Sequence, residues 1–138
     1  SNSIRINGVT GNIVLEGEDA PIDVRDISGH LKLKAVDAQV RVIGFKGEFE
    51  SNTEDGDVFL EGAFSKVNAQ ALDGTVTFTV PSDANADIDS NTEVKADGVN
   101  IVRSGERGVR IGSGGKSYKF TFGDGHLVLR SPNSLESF

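Results

Sequence analysis

The sequence predicts an all-β fold, specifically a parallel β-solenoid of short strands with a nine-residue repeat and about 18 residues per coil. Three observations lead to this prediction. Small residues recur every nine positions, apolar residues follow each of them at two and four positions, and no segment keeps a helical period. The small-residue column comprises Gly11, Ala20, Gly29, Ala38, Gly47, Gly56, Ser65 and Gly74.

Two apolar columns define the inward face of each unit. The first contains Ile4, Ile13, Ile22, Leu31, Val40, Phe49, Val58, Val67 and Val76. The second contains Ile6, Leu15, Val24, Leu33, Val42, Ser51, Leu60, Ala69 and Phe78. The columns between them are mostly polar, so each unit alternates as a strand with one buried and one exposed face. A single unit cannot bury its own face, but stacked units can. We therefore expect Val24, Leu33, Val42, Phe49, Val58 and Leu60 at the centre of the core.

The repeat loses its register after Pro81. Further short strands are expected at residues 86–88, 94–96, 99–101 and 109–111. Alternation returns at residues 118–122 and 127–129, and we expect these last strands to close one end of the fold. Pro132 ends the final strand because it cannot donate to a ladder. The predicted domain is therefore residues 3–131, with 132–138 as a tail and 1–2 as a candidate remnant of tag removal.

Two other arrangements remain compatible with the pattern. Gly and Ala alternate in the small-residue column from Gly11 to Gly47, which indicates two repeats per coil. The alternation changes phase at Gly56, which leaves open a three-sided coil of three repeats, or about 27 residues. An antiparallel sandwich or meander is the second alternative, because Asp-Gly pairs favour hairpins. These pairs are Asp55-Gly56, Asp73-Gly74, Asp97-Gly98 and Asp124-Gly125. Sandwich strands rarely keep one interval over eight units, so the solenoid is preferred.

Composition excludes several classes of function. The chain has 138 residues, a formal net charge of −7 and a pI near 4.7, which argue against nucleic acid as a partner. It has no Cys, so a disulfide framework and a thiol nucleophile are excluded. Its aliphatic stretches are too short for a membrane-spanning helix. We expect no cofactor and no metal.

Several segments resemble one bacterial domain family. "VTGNIVLEG", "ISGHLKLKA", "EDGDVFLEG" and "LDGTVTFTVP" resemble the "SGDIxLxG" units of an adhesin-like domain family of unknown function. "VPSDANADIDSNTEV" is similar to a Pro-containing segment of that family. "IGSGGKSYKFTFGDGHLVLR" is similar to the Gly-rich loop and the last strands of that family. The resemblance runs from Ile4 to Arg130. The sequence departs from the family at Ser65, where a Gly is usual, and in a longer basic region at residues 103–116.

The resemblance implies a β-solenoid found on secreted or envelope-attached bacterial proteins, with no established activity. The expected function is a non-enzymatic, adhesin-like interaction domain, located outside the cell or in its envelope, with an unknown envelope protein or glycan as partner. A carbohydrate-active enzyme and an intracellular regulatory interaction domain are the alternatives.

The sequence offers few residues for catalysis or metal binding. "IGSGGKS" lacks the first Gly of a phosphate-binding loop, because that position is Arg110, and a strand follows it. Outward carboxylates such as Glu48, Glu50, Asp57 and Glu61 suit solvation better than glycoside hydrolysis. His30 and His126 are too few for a three-ligand site unless carboxylates complete it. A metal-binding column is a weak alternative to turn-stabilising aspartates at Asp19, Asp37, Asp55 and Asp73, which are spaced by two repeats.

A cluster of basic residues is the candidate interaction surface. It comprises Arg103, Arg107, Arg110, Lys116 and Lys119. An acidic run precedes it and contains Asp83, Asp87, Asp89, Glu93 and Asp97. A basic loop beside an acidic run suits contact with an anionic glycan, a phosphate-bearing polymer or another copy of the chain. The alternative interpretation is a solvated loop whose charges oppose aggregation.

Overall fold

Strands make up most of the structure. A computed structural model describes residues 3–80, 84–104 and 108–131, and these contain thirteen strands and no helix. The strands are β1 (Ile4–Asn7), β2 (Thr10–Glu18), β3 (Ile22–Arg25), β4 (Ser28–Val36), β5 (Val40–Glu54), β6 (Val58–Ala71), β7 (Thr75–Thr79), β8 (Ala86–Ser90), β9 (Val94–Asp97), β10 (Ile101–Ser104), β11 (Gly108–Ile111), β12 (Lys116–Phe122) and β13 (His126–Arg130). The all-β prediction is confirmed.

Pairing is mostly parallel, and the first seven strands pair at a nearly constant offset. Ile4 lies opposite Ile22, Thr10 opposite Ser28, and Val58 opposite Val76. Each partner lies two nine-residue repeats further along the chain. The offset is one residue shorter for three pairs between β5 and β6, and the full offset returns at Glu48 and Lys66. Gly44 is an unpaired extra residue in β5, and Ser65 is an unpaired extra residue in β6. The second irregularity cancels the first and restores the offset.

The strands form two rows that share one continuous sheet. The first row is β1, β3, the start of β5, the start of β6, β7, β13 and β9. The second row is β2, β4, the end of β5, the end of β6, β12, β8, β11 and β10. The long strands β5 and β6 pass from the first row to the second. The sheet that the described strands form does not close on itself.

The inward side chains of both rows meet in one hydrophobic core. Phe78 of the first row lies 5.9 Å from Phe120 and 5.3 Å from Tyr118 of the second row, between ring centroids. The six residues predicted at the centre of the core, Val24, Leu33, Val42, Phe49, Val58 and Leu60, are at most 2% exposed. That prediction is confirmed. The core is less complete at β1 and β2, where Ile4, Ile6, Ile13 and Leu15 are only partly buried.

The last two strands do not close an end of the sheet, contrary to the expectation from sequence. β12 lies between β6 and β8, and β13 lies between β7 and β9. After β11 the chain therefore returns, and its last two strands are inserted between pairs of strands that come earlier in the sequence. The prediction of an end cap is wrong because the aromatic side chains Tyr118, Phe120 and Phe122 find their partners inside the core.

The end beyond β8 is antiparallel. β11 pairs antiparallel with β8, and β10 pairs antiparallel with β11. All other strand pairs formed by the described residues are parallel. β10 and β11 follow each other as a hairpin, so the two-repeat offset of the parallel strands does not apply to them. The strand predicted at residues 99–101 begins only at Ile101.

Stacked turns explain the column of small residues. Gly29 and Gly47 have φ values of +128° and +129°, a conformation that favours glycine. A Cβ at Gly47 would overlap the carbonyl oxygen of Gly29, and a Cβ at Gly29 would overlap that of Gly11. At Gly29 and Gly47 the neighbouring turn therefore lies too close for a side chain.

The part of the chain that the structure describes contains no helix long and apolar enough to cross a membrane. The predicted tail (132–138), the candidate tag remnant (1–2) and Arg107 lie outside the described residues.

Candidate functional site

The described members of the predicted basic surface, Arg103, Arg110, Lys116 and Lys119, do not form a continuous group of free cations. The Arg110 Nε lies 2.8 Å from the Asp87 Oδ1. Arg103 donates a hydrogen bond of 3.1 Å to the Val94 carbonyl oxygen. Lys116 and Lys119 are exposed on β12, and Lys119 lies opposite Asp89 of β8. The acidic run and the basic cluster are thus interleaved on neighbouring strands.

The electrostatics of this cluster follow from the Asp87 contacts. The hydrogen bond from Arg110 lowers the pKa of Asp87, and the Gly115 backbone N–H at 3.2 Å lowers it further. The same hydrogen bond raises the pKa of Arg110. A carboxylate held this way offsets the Arg110 charge, so Arg103, Lys116 and Lys119 carry the remaining positive charge among the described members of the cluster.

A larger candidate site lies on the outward face of the second row. It is a groove of about 330 Å³ across β2, β4, β5 and β6, which we call the long groove. One of its walls is the outward column Val14, Lys32, Glu50 and Asn68. The other wall is the outward column Glu16, Lys34, Asn52 and Gln70. The two-repeat offset puts these side chains in line, and adjacent strands about 4.8 Å apart give a length on the order of 14 Å.

The floor of the long groove is backbone. Leu15, Leu33 and Ser51 line it, and their side chains point inward between the two outward columns. The groove is therefore a direct product of strand alternation, with an apolar core beneath and polar walls above. A ligand that follows the stacking direction would contact side chains from four strands.

The walls of the long groove carry balanced charge. Lys32 and Lys34 offset Glu16 and Glu50, and the remaining polar members are amides, Asn52, Asn68 and Gln70. Amide side chains both donate and accept hydrogen bonds. Val14 is 70% exposed, and the lysine stems add further apolar surface. This arrangement suits a polar, uncharged and extended ligand.

A smaller pocket of about 90 Å³ adjoins the long groove through Glu50 and Asn68. His30 lies in it, with its Nδ1 3.8 Å from the Glu48 Oε2 and its Nε2 3.9 Å from the Glu50 Oε2. Both carboxylates are about half exposed, so this group extends the polar wall of the groove into a second trough.

The aspartates spaced by two repeats stack at one turn. Partial desolvation, with the Asp55 and Asp19 carboxylates, raises the pKa of Asp37. A hydrogen bond with Asp55 raises the pKa of Asp73, as do partial desolvation and the Asp55 and Asp124 charges. Asp19, Asp37 and Asp55 have φ between +49° and +57°. Within the described residues no group of three or more His, Cys, Asp or Glu is arranged to hold a metal ion.

Sequence reasoning missed the long groove, although the sequence carries a signal for it. From sequence, the outward columns are interpreted only as solvated faces. The signal is the mixture of amides and opposite charges at a spacing of two repeats, as in Lys32, Glu50 and Asn68. A solvated face needs no such alignment.

The chain was compared with protein-family models, curated proteins and solved structures. No protein-family model matches it, and neither a curated protein nor a solved structure does.

Proposed function

We propose that this chain is a non-enzymatic binding module whose long groove holds an uncharged glycan chain of a bacterial cell envelope. The observation that carries the proposal is the alignment of amide and charge-balanced side chains from four parallel strands along one groove. Sugar hydroxyls donate and accept hydrogen bonds, as amides do, and an extended glycan follows a straight groove.

The proposed architecture is a two-sided β-solenoid with two nine-residue repeats per coil. Its support is the recurring two-repeat offset between paired strands from β1 to β7, in both rows. Such a scaffold is rigid, because each coil is hydrogen-bonded to its neighbours, and a rigid site loses little entropy when it binds. An adhesin-like role outside the cell rests on the family resemblance.

Binding is tested by nuclear magnetic resonance titration of the ¹⁵N-labelled chain with cello-, chito- and malto-oligosaccharides. We expect shift changes in residues 14–16, 32–34, 50–52 and 68–70. Asn52→Ala combined with Asn68→Ala should weaken binding about tenfold, because two hydrogen-bonding side chains are lost.

Asn100→Ala is the matched control, since Asn100 is exposed in the loop after β9 and far from the groove in sequence. It should bind like the unmodified chain. Absence of shifts with every oligosaccharide, or equal weakening by Asn100→Ala, would overturn the proposal.

The non-enzymatic part has its own readout. Incubation of the chain with the bound oligosaccharide should release no new reducing ends, because the proposal requires affinity without turnover. Release that depends on Glu16 or Glu50 would instead establish a carbohydrate-active enzyme. Protease treatment of intact native cells tests location: the domain should be cleaved from outside, and protection until lysis would exclude adhesion.

A further inference from the structure

A second pocket, of about 230 Å³, lies on the outward face of the first row, separate from the long groove. It forms because β7 carries short outward side chains between two strands with longer ones. Thr77 lies beside Phe59 of β6, and Thr79 lies between Glu61 of β6 and Arg130 of β13. The longer neighbours overhang the threonines, which are 8% and 7% exposed. We call this site the β7 pocket.

Two arginines, Arg41 and Arg130, line the β7 pocket. Within the described residues neither Arg41 nor Arg130 has a carboxylate within ion-pair distance. The Arg130 Nε is buried and has no hydrogen-bond partner among them. A buried N–H donor without an acceptor is costly, and a bound acceptor would remove that cost. The pocket therefore holds a positive charge and an unused donor.

The other lining residues narrow the chemistry of the ligand. Arg41 lies with its guanidinium carbon 5.8 Å from the centre of the Phe59 ring, so Phe59 is an outward aromatic residue that helps to position a cation. Glu61 adds a single negative charge to the lining. Two arginines and one glutamate leave one net positive charge, which matches a carboxylate better than a phosphate dianion. Thr77, Thr79 and Glu61 can bond to hydroxyl groups.

We propose that the β7 pocket binds a hexuronic acid residue of an acidic glycan, with the sugar carboxylate between Arg41 and Arg130 and its hydroxyls near Thr77, Thr79 and Glu61. The volume suits one sugar unit. The site is distinct from the long groove in position and in charge, so the two proposals fail independently.

The test is a nuclear magnetic resonance titration with sodium glucuronate, in parallel with glucose and inorganic phosphate. We expect glucuronate to shift the amide signals of residues 59–61, 77–79 and 128–130, while glucose and phosphate cause smaller changes. Arg41→Gln should weaken glucuronate binding about tenfold, because a charged hydrogen bond is lost at an exposed residue.

Arg5→Gln is the matched control, since Arg5 is exposed in the same outward column on β1, two strands from Arg41. It should leave the dissociation constant unchanged. Arg130→Gln gives a second loss-of-binding variant, with its folding checked by signal dispersion. Equal shifts with glucose, stronger binding of phosphate, or equal weakening by Arg5→Gln would each overturn the assignment.

Discussion

The Tyr118 hydroxyl donates a hydrogen bond of 2.6 Å to the carbonyl oxygen of Phe64, across 54 residues of sequence. Phe64 lies two positions before Lys66, the first β6 residue that the β12 ladder reaches. The Phe64 carbonyl therefore lies outside the backbone ladder between β12 and β6. The side-chain hydrogen bond from Tyr118 adds a further link between these two strands. Its ring also stacks on Phe78 of the opposite row, with centroids 5.3 Å apart.

Removal of this hydroxyl should destabilise the fold without disturbing the packing of the ring. Tyr118→Phe leaves a buried carbonyl oxygen without its donor and should lower the free energy of unfolding by about 1–2 kcal/mol. Urea denaturation measures the change. An unchanged free energy would show that the hydrogen bond contributes nothing.

The same variant should alter stability at alkaline pH. Burial raises the pKa of Tyr118, so the unfolded chain loses the phenolic proton at a lower pH than the folded chain. The contribution of the neutral Tyr118 to stability is therefore fully present below the ordinary tyrosine pKa of about 10. It is lost as the pH rises through the higher pKa of the folded state. Tyr118 is the only tyrosine, so Tyr118→Phe should remove this part of the alkaline loss. If the free energy of unfolding fell equally with rising pH in both proteins, the alkaline loss could not be assigned to Tyr118.

A charge in the apolar column should unfold the domain. Val42 is fully buried on β5, and Val42→Asp would place a carboxylate in the core without a partner. We expect no cooperative thermal transition. Asn52→Asp is the control, because Asn52 is exposed on the same strand. A near-normal melt for Val42→Asp would contradict the assigned register.

Two glycines allow the energetic cost of close turn stacking to be measured separately from the cost of backbone strain. Gly11 and Gly47 have nearly the same φ, +127° and +129°, but only at Gly47 would a Cβ overlap a neighbouring carbonyl oxygen. Gly11→Ala should cost about 1–2 kcal/mol from backbone strain alone. Gly47→Ala should cost at least about 2 kcal/mol more, because the turns must move apart. Chemical denaturation compares the two, and equal losses would mean that the turns do not touch.

Removal of one stacked carboxylate should stabilise the protein at neutral pH. The pKa of Asp37 is raised, so its ionised form opposes folding and stability rises as pH falls through that pKa. Asp37→Asn should raise the melting temperature at pH 7, and the gain should disappear near pH 3, where Asp37 is protonated in both states. Asn accepts the positive φ of this position.

Asp26→Asn is the control for this variant, because Asp26 has a similar φ of +54° but lies outside the column of stacked aspartates. It should leave the melting temperature nearly unchanged at both pH values. A fall in stability for Asp37→Asn at pH 7 would show that the carboxylate makes a favourable contact there.

The nine-residue period is enough to predict the strands, the inward columns and the close turns. Each of these depends on neighbours within one or two repeats, as at Leu33 and Gly47. The insertion of β12 between β6 and β8 could not be predicted this way. Lys66 pairs with Ser117, far beyond the two-repeat offset, and that pairing is decided by how Tyr118 and Phe120 fill the core.

The candidate sites depend on side-chain length as well as on alternation. Phe49 and Phe78 belong to the inward columns and are buried in the core, but Phe59 faces outward and lines the β7 pocket. That pocket also requires Arg130, which reaches β7 only after the insertion of β13. Its residues come from strands that no local pattern brings together.

Both proposed sites require the outward columns, and the β7 pocket also requires the inserted strands β12 and β13. The most direct measurement is disulfide formation under mild oxidation between pairs of introduced cysteines, since the chain has no cysteine of its own. Lys119 lies opposite Asn68 on one side and Asp89 on the other. Asn68→Cys with Lys119→Cys should form a disulfide, because adjacent strands lie about 4.8 Å apart. Asn68→Cys with Asp89→Cys should stay reduced, because β12 holds these two positions about 10 Å apart. The reverse result would mean that β8 pairs directly with β6, and it would contradict the inserted topology.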